Sequence, residues 1–509
     1  MSFKLSIDSA EIIDRLKTRF KVADRPPILR LAFAKGLEVI PDVLPPAKDS
    51  KGAEIPLSAI EDLLFDALIR QKFNIELTPK EKRQYYKAIV DYGAVILQQE
   101  DEYGDNSNLL LKLAKEADPM KLKYGQAKGR VPTVDLKGTA EKIILDLGTD
   151  SSGDSVSITW NDKDATGQHL CVTGKTGAGK TQFALELLTQ IKEESKGKVN
   201  IIFFDFAKGD VAANPDFVDC IDAQVIDVSV EGGVPFNPFF MDEVTPKKIE
   251  ELKDIFTSVQ RTLGPKQSLE LFDILEACYD RTPEPDIYTV YDVMNEAYEE
   301  RGKSKDVLVE LFHKLVVPAI FPKANAEGLH RTLCDKNIIF DLHNIDSHMR
   351  VKELIAFLIL NKIYTEAIRM KDSGVDSKNN TREIRTVVVI DEAHNYLNCR
   401  NKVLEKMVRE LRSKGVAIML LTQGFEDLDQ KEFDYSTMLN WIFLMKSDND
   451  RASIEKALAI NKELASKLST EISTAETGKV YTRKLRTKDQ GYLVFESKQY
   501  WKRQLKKDE

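Results

Sequence analysis

Residues 170–191 read LCVTGKTGAGKTQFALELLTQI: an apolar run of strand character, a glycine-rich turn, then apolar residues at helical spacing. Within it Gly174, Lys175, Thr176, Gly177, Ala178, Gly179, Lys180 and Thr181 fit G-x-x-x-x-G-K-T, in the strand–turn–helix setting that a phosphate cradle needs. Glycines let backbone N–H groups curl around phosphates, and the start of the helix adds partial positive charge. Lys180 is placed to reach the β- and γ-phosphates and the Thr181 hydroxyl to ligate Mg²⁺; Gln182, next in the helix, completes the expected contacts. The stretch predicts an ATP and Mg²⁺ site.

Working outward, short β-branched runs alternate with amphipathic stretches: HLCVTG, NIIFFDF, QVIDV, NIIFDL, TVVVID, VAIMLLT and WIFLM. Such a pattern predicts an α/β fold with a mainly parallel sheet buried on both faces. Helical spacing dominates residues 245–335, read as an insertion at the rim of the sheet. TVVVID ends in Asp391-Glu392. Carboxylates at a strand's C-terminal end face the crevice where open α/β sheets bind ligands. Asp391 is the expected Mg²⁺ partner and Glu392 the base that takes a proton from the attacking water. The adjoining His394 is read as a helix-start residue. VAIMLLT ends at Gln423, whose side chain is expected beside the γ-phosphate. Before that strand comes Arg409-Glu410-Leu411-Arg412-Ser413-Lys414-Gly415. Basic residues there either compensate a helix dipole or supply an arginine finger to a neighbouring subunit's nucleotide, and sequence leaves both open.

The chain has 509 residues, 42% hydrophobic and 31% charged, enough for several modules with buried cores. No apolar run reaches the length of a membrane span, and residues 1–10 lack the apolar core of a signal peptide, so a cytoplasmic protein without membrane contact is expected. Five scattered cysteines suggest neither a zinc site nor a disulfide framework. Net charge is −8, yet residues 478–509 hold ten Lys or Arg against four Asp or Glu, and residues 1–40 eight against five. Residues 1–105 read as a helical module: a strand at 3–7, then a helix opened by Asp8-x-x-Glu11 with Ile12, Leu16 and Phe20 on one face. Further helices are expected at 27–36, ended by Gly36, at 63–71, and at 78–99, opened by Thr78-Pro79-x-Glu81. Residues 106–140, with a short helix near 109–114, read as a linker, 141–497 as the ATPase domain, and 498–509 as a basic tail. No nuclease constellation is visible.

The glycine-rich turn, D-E after an apolar strand, R-E-x-R-x-x-G and a strand ending in T-Q follow one another across residues 140–497. Together with Val234-Pro235-Phe236-Asn237-Pro238-Phe239, Asp205-Phe206-Ala207-Lys208-Gly209 and IIFDLHNID, they resemble the HerA/FtsK family of ring-forming DNA-translocating ATPases. The resemblance implies a RecA-like P-loop core, a homo-hexamer with nucleotide at subunit interfaces, and double-stranded DNA in the channel. It makes Arg412 the first choice for the trans finger and Arg409 the second. The family more often shows R-E-G-R-K, so Leu411 and Ser413 depart from it. Residues 3–100 are similar to DndE, a small helical protein associated with DNA phosphorothioate modification, through helix spacing and Gly93. That likeness nominates Lys17, Arg19, Lys21, Arg25, Arg30 and Lys35 as phosphate contacts, or a module that only organises the ring. The two resemblances imply a HerA-type translocase or helicase-like motor working with a separate nuclease or other effector in bacterial anti-phage defence. The alternatives are an ATP-regulated DNA-binding switch and a conjugation- or secretion-type coupling ATPase.

Overall fold

The computed structural model describes the chain outside residues 1, 20, 21, 23, 42, 43, 46, 47, 61, 62, 74, 76, 104–135, 137, 166, 261, 325–331, 346, 347, 400, 401, 485–490 and 509, and outside the side chains of 63, 64, 100–103 and 506–508. It divides into two compact units, Met1–Leu122 and Lys123–Glu509. Phe20, Lys21 and the helix expected near 109–114 lie outside the described residues.

In the first unit β1 (Ser2–Lys4) pairs antiparallel with β2 (Glu54–Pro56) beside helices Ile7–Arg19, Pro26–Val39, Leu63–Phe73 and Pro79–Tyr103. The first helix begins a residue before Asp8, which overturns the expected capping box. Ser6 caps instead, its hydroxyl accepting from the Ser9 N–H at 3.3 Å. Buried Asp91 holds Ser6 in place through the Ser6 N–H at 3.0 Å, while Lys87 neutralises it at 2.6 Å. The capping box at Thr78 does form: the Thr78 N–H donates to Glu81 at 2.9 Å, and the Glu81 N–H to Thr78 at 3.4 Å. Gly36 does not end its helix, which runs on to Val39. Its role is contact. A Cβ at Gly36 would stand 2.0 Å from the Ile89 carbonyl oxygen, and one at Gly93 would stand 1.8 Å from that of Ala32. Helices Pro26–Val39 and Pro79–Tyr103 thus cross backbone against backbone, which only glycine permits.

Gly93→Leu is therefore expected to destabilise the first unit by about 3 kcal/mol or more, because backbone rather than a side chain has to give way. All three tryptophans, Trp160, Trp441 and Trp501, lie in the second unit. A thermal melt of the variant should lose helix early by circular dichroism while tryptophan fluorescence keeps its transition. An unchanged dichroism melt would contradict the crossing.

In the second unit the seven runs singled out above become β5 (Leu170–Thr173), β6 (Asn200–Asp205), β7 (Gln224–Asp227), β8 (Ile338–Asp341), β11 (Thr386–Ile390), β12 (Val416–Thr422) and β13 (Trp441–Leu444). All run parallel in the order β13-β5-β12-β11-β6-β8-β7. Four strands extend this block antiparallel beyond β13: β14 (Lys479–Arg483), β15 (Tyr492–Ser497), β3 (Ile144–Asp150) and β4 (Ser155–Thr159), making an eleven-stranded sheet. A two-stranded ribbon, β9 (Val375–Asp376) with β10 (Thr381–Arg382), stands apart. Alternate residues of the central strands enter two apolar layers, Ile202, Phe204 and Val388 in one and Ile201, Phe203 and Val387 in the other. Both faces of the sheet are covered, as near-continuous apolar strands require.

Helices Pro246–Val259, Pro265–Arg281, Ile287–Glu300 and Val307–Val316 form the insertion between β7 and β8. Thr245, Asp286 and Asp306 cap three of them. The N-P-F segment fastens the insertion to the sheet: buried Asn237 donates to the Pro285 carbonyl at 2.9 Å and accepts from the Phe239 N–H at 3.0 Å. The last residues of the expected linker already belong to this unit, since Thr139 bridges to Ile384.

Candidate nucleotide site

The turn 174–181 leaves the C-terminal end of β5 and enters helix Lys180–Glu194. Its start is fixed by neighbouring strand ends: the Gly174 N–H donates to Thr422 at 3.0 Å and the Lys175 N–H to Lys446 at 2.7 Å. Gly179 caps the helix at φ +97°, a left-handed conformation that costs a side-chain residue strain. The first N–H groups of a helix have no acceptor of their own, so those at this end are available to anionic oxygens. Lys180 is buried at 6% exposure, and its charge pulls on the buried carboxylate of Asp391.

Strand order decides what stands opposite. β12 lies between β5 and β11, which sets the end of β11 roughly 10 Å from the turn, room for a phosphate chain and its cation. Asp391 is buried, and its Oδ1 has no hydrogen-bond partner among the described residues. Burial above all, then the carboxylates of Glu392 and Asp205, push its pKa up to about 7, against the pull of Lys180. An unpartnered carboxylate oxygen across β12 from the hydroxyl-bearing P-loop offers oxygen donors suited to a hard divalent cation, so Asp391 and Thr181 fit Mg²⁺. Glu392 sits at φ +48°, a strained conformation of the kind that collects at functional sites. Gln423, following β12, donates to Glu392 Oε2 at 3.1 Å, and His394 Nδ1 lies 3.2 Å from the same oxygen. Gln423 and Glu392 are thus brought together at the edge facing the turn, and His394 does open helix His394–Leu397.

Asp205, at the end of β6, accepts from the Gly209, Val211 and Ala212 N–H groups at 3.2, 2.9 and 2.9 Å. Burial raises its pKa and these amides oppose the rise. In the D-x-K-G segment the aspartate therefore shapes the loop.

Residues 498–509 are not a loose tail. Helix Tyr500–Asp508 lies along helix Lys180–Glu194, with Arg503 forked onto Glu186 at 3.0 and 2.9 Å and paired with Glu193 at 2.5 Å. The Trp501 backbone N–H donates to Gln182 Oε1 at 3.0 Å, so the side chain of Gln182, nominated as a nucleotide contact, also meets this helix. The turn before β15's partner strand also reaches the cradle: Thr477 Oγ1 donates to the Gly177 carbonyl and the Gly478 N–H to that of Ala178, each at 3.1 Å.

Arg409 and Arg412 lie at the opposite edge, before the start of β12. That strand spans about 20 Å, so neither reaches the turn of its own chain. Arg409 pairs with Glu405 at 3.1 Å and covers the Phe433 ring at 4.5 Å. Arg412 donates to the Ala165 carbonyl at 3.0 Å, but its Nε is buried without a partner. Beneath them, buried His169 accepts from the Ile418 N–H at 2.9 Å and donates through Nε2 to the Val408 carbonyl at 3.0 Å. Burial pulls its pKa down to about 4, which keeps the ring neutral and the tautomer fixed. In the first unit, Arg25 grips Asp14 at 2.6 Å and Lys35 lies 3.4 Å from Glu38, so two of the nominated phosphate contacts already have acidic partners.

With this geometry in hand, the second unit has the RecA-like P-loop ATPase fold. VirB4 of Thermoanaerobacter pseudethanolicus shares it, at 16% identity and a TM-score of 0.53 over 69% of this chain and 96% of that one. The bacterial conjugative coupling protein TrwB aligns more loosely, at 10% identity and a TM-score of 0.43 over 69% and 88% of the two chains. Neither the comparison with protein families nor that with curated proteins gives a match. Among the described residues no helix is long and apolar enough to cross a membrane.

Proposed function

We propose that the second unit is an Mg²⁺-dependent ATPase and that copies of the chain form a ring, a hexamer, which uses hydrolysis to move or couple a polymer. One observation carries the ATPase reading: β12, which Gln423 follows, separates the Lys180 turn from Asp391-Glu392, and the Gln423 amide touches the Glu392 carboxylate at 3.1 Å. Lys180 holds the β- and γ-phosphates, Thr181 and Asp391 hold Mg²⁺, Glu392 takes the proton of the attacking water, and Gln423 orients the carboxylate. The bound cation supplies charge neutralisation between the phosphates. Arg412 is the group that completes a neighbour's site.

The likeness to VirB4 supports a coupling ATPase of the conjugation or secretion kind over a HerA-type motor. Partnership with a nuclease in anti-phage defence, implied by the DndE-like reading of residues 3–100, gains no support and is not carried forward. The first unit contributes DNA contact or ring organisation.

The test is ATP hydrolysis by the full chain with and without double-stranded DNA, alongside its mass in solution. A hexamer stimulated by DNA is a DNA motor; a hexamer indifferent to DNA couples a protein or acts as a switch. Lys180→Ala is expected to weaken MgATP binding by about tenfold or more, as loss of a charge-assisted phosphate contact requires, in an equilibrium titration. Wild-type affinity in that variant would remove the phosphate-site reading.

A further inference from the structure

The C-terminal helix leaves an aromatic ring with no evident structural task. Tyr500 is buried edge-on against Phe217 at 5.5 Å, Arg503 is locked to Glu186, and Gln504 donates to Asp216 at 2.8 Å, so the helix is fastened along its inner side. Trp501, in the same turn, is 45% exposed, although an indole is among the costlier groups to leave in water. Its backbone N–H donates to Gln182 Oε1, one residue past Thr181, so residue 501 sits beside the first turn of the P-loop helix. On the same side the Gln499 amide lies against Gly179, close enough that a Cβ there would stand 2.9 Å from Oε1, and Thr477 and Gly478 hold the carbonyls of Gly177 and Ala178. Phosphates held by the turn leave their nucleoside to emerge beside this segment, since β12 and β11 occupy the other side.

We propose that Trp501 is the stacking platform for the purine base of the nucleotide whose phosphates the turn 174–181 holds, with Gln499 lining the passage between base and phosphates. Lys502, 5.6 Å from the indole ring, adds positive charge at the platform's rim. The proposal rests on the phosphate-site reading, and the experiment separates the two.

Mg²⁺ complexes of ATP and of inorganic tripolyphosphate, which has the phosphates but no base, are titrated into the full chain, its Trp501→Ala and Trp501→Phe variants, and Lys180→Ala. Trp501→Ala should weaken ATP by about tenfold, the usual scale of base stacking, and leave tripolyphosphate within about twofold. Trp501→Phe should recover most of the ATP affinity. Equal weakening of both ligands by Trp501→Ala would show that the helix only props the turn, and unchanged ATP binding would show that the indole serves another surface; either result overturns the proposal. If Lys180→Ala binds both ligands normally, the phosphate site itself is misplaced.

Discussion

Arg412→Ala is expected to cut ATP hydrolysis by about 10³-fold or more while MgATP binding persists, the loss that follows removal of an arginine finger. Geometry excludes action within one chain, because β12 separates Arg412 from its own turn. The choice of Arg412 over Arg409 comes from partners. Arg409 is spent on Glu405 and Phe433, whereas among the described residues no carboxylate pairs with Arg412, whose Nε is buried and unsatisfied. Burial lowers its pKa, as does Arg382 nearby. Phosphate release is measured for the variant alone and mixed with Glu392→Gln subunits. Activity returning in the mixture places the finger in trans; wild-type turnover by Arg412→Ala alone would return the residue to dipole compensation.

Glu392→Gln should slow hydrolysis by roughly 10²- to 10⁴-fold, the range for a positioned base, and leave ATP bound. Glutamine keeps the shape at φ +48° and still offers an oxygen to the Gln423 amide, so the fold of the edge is preserved and only proton acceptance is lost. Retained nucleotide on a filter together with a stalled single turnover is the expected result. A variant that turns over at the wild-type rate would move the base elsewhere.

That residues 174–181, Asp391-Glu392 and Gln423 share one edge of the sheet was legible because each follows an apolar run that ends in polar residues, and parallel strands bring such ends together. The seven runs all became parallel strands, and four helices lie between β7 and β8. Local pattern could not show which strands lie side by side, so the antiparallel extension β14, β15, β3 and β4 went unseen, and with it the contact of Thr477 and Gly478 on the cradle. A basic count suggested a tail at 498–509 because charge reports composition and not partners; Arg503 meets Glu186 more than 300 residues earlier. Gly36 read as a stop for the same reason, its true partner being Gly93 on another helix.

The neutral ring of His169 ties the root of β5 to Ile418 in β12 and to Val408 in the helix that carries Arg409. A group that accepts from one element and donates to the next lets neither slide, so the phosphate cradle at one end of β5 and the arginine turn at the other form a single stiff lever. In the proposed ring each end of that lever would belong to a different composite site, and a displacement imposed at one nucleotide would reach the next as rigid-body rotation, with no relay of loop rearrangements needed in between.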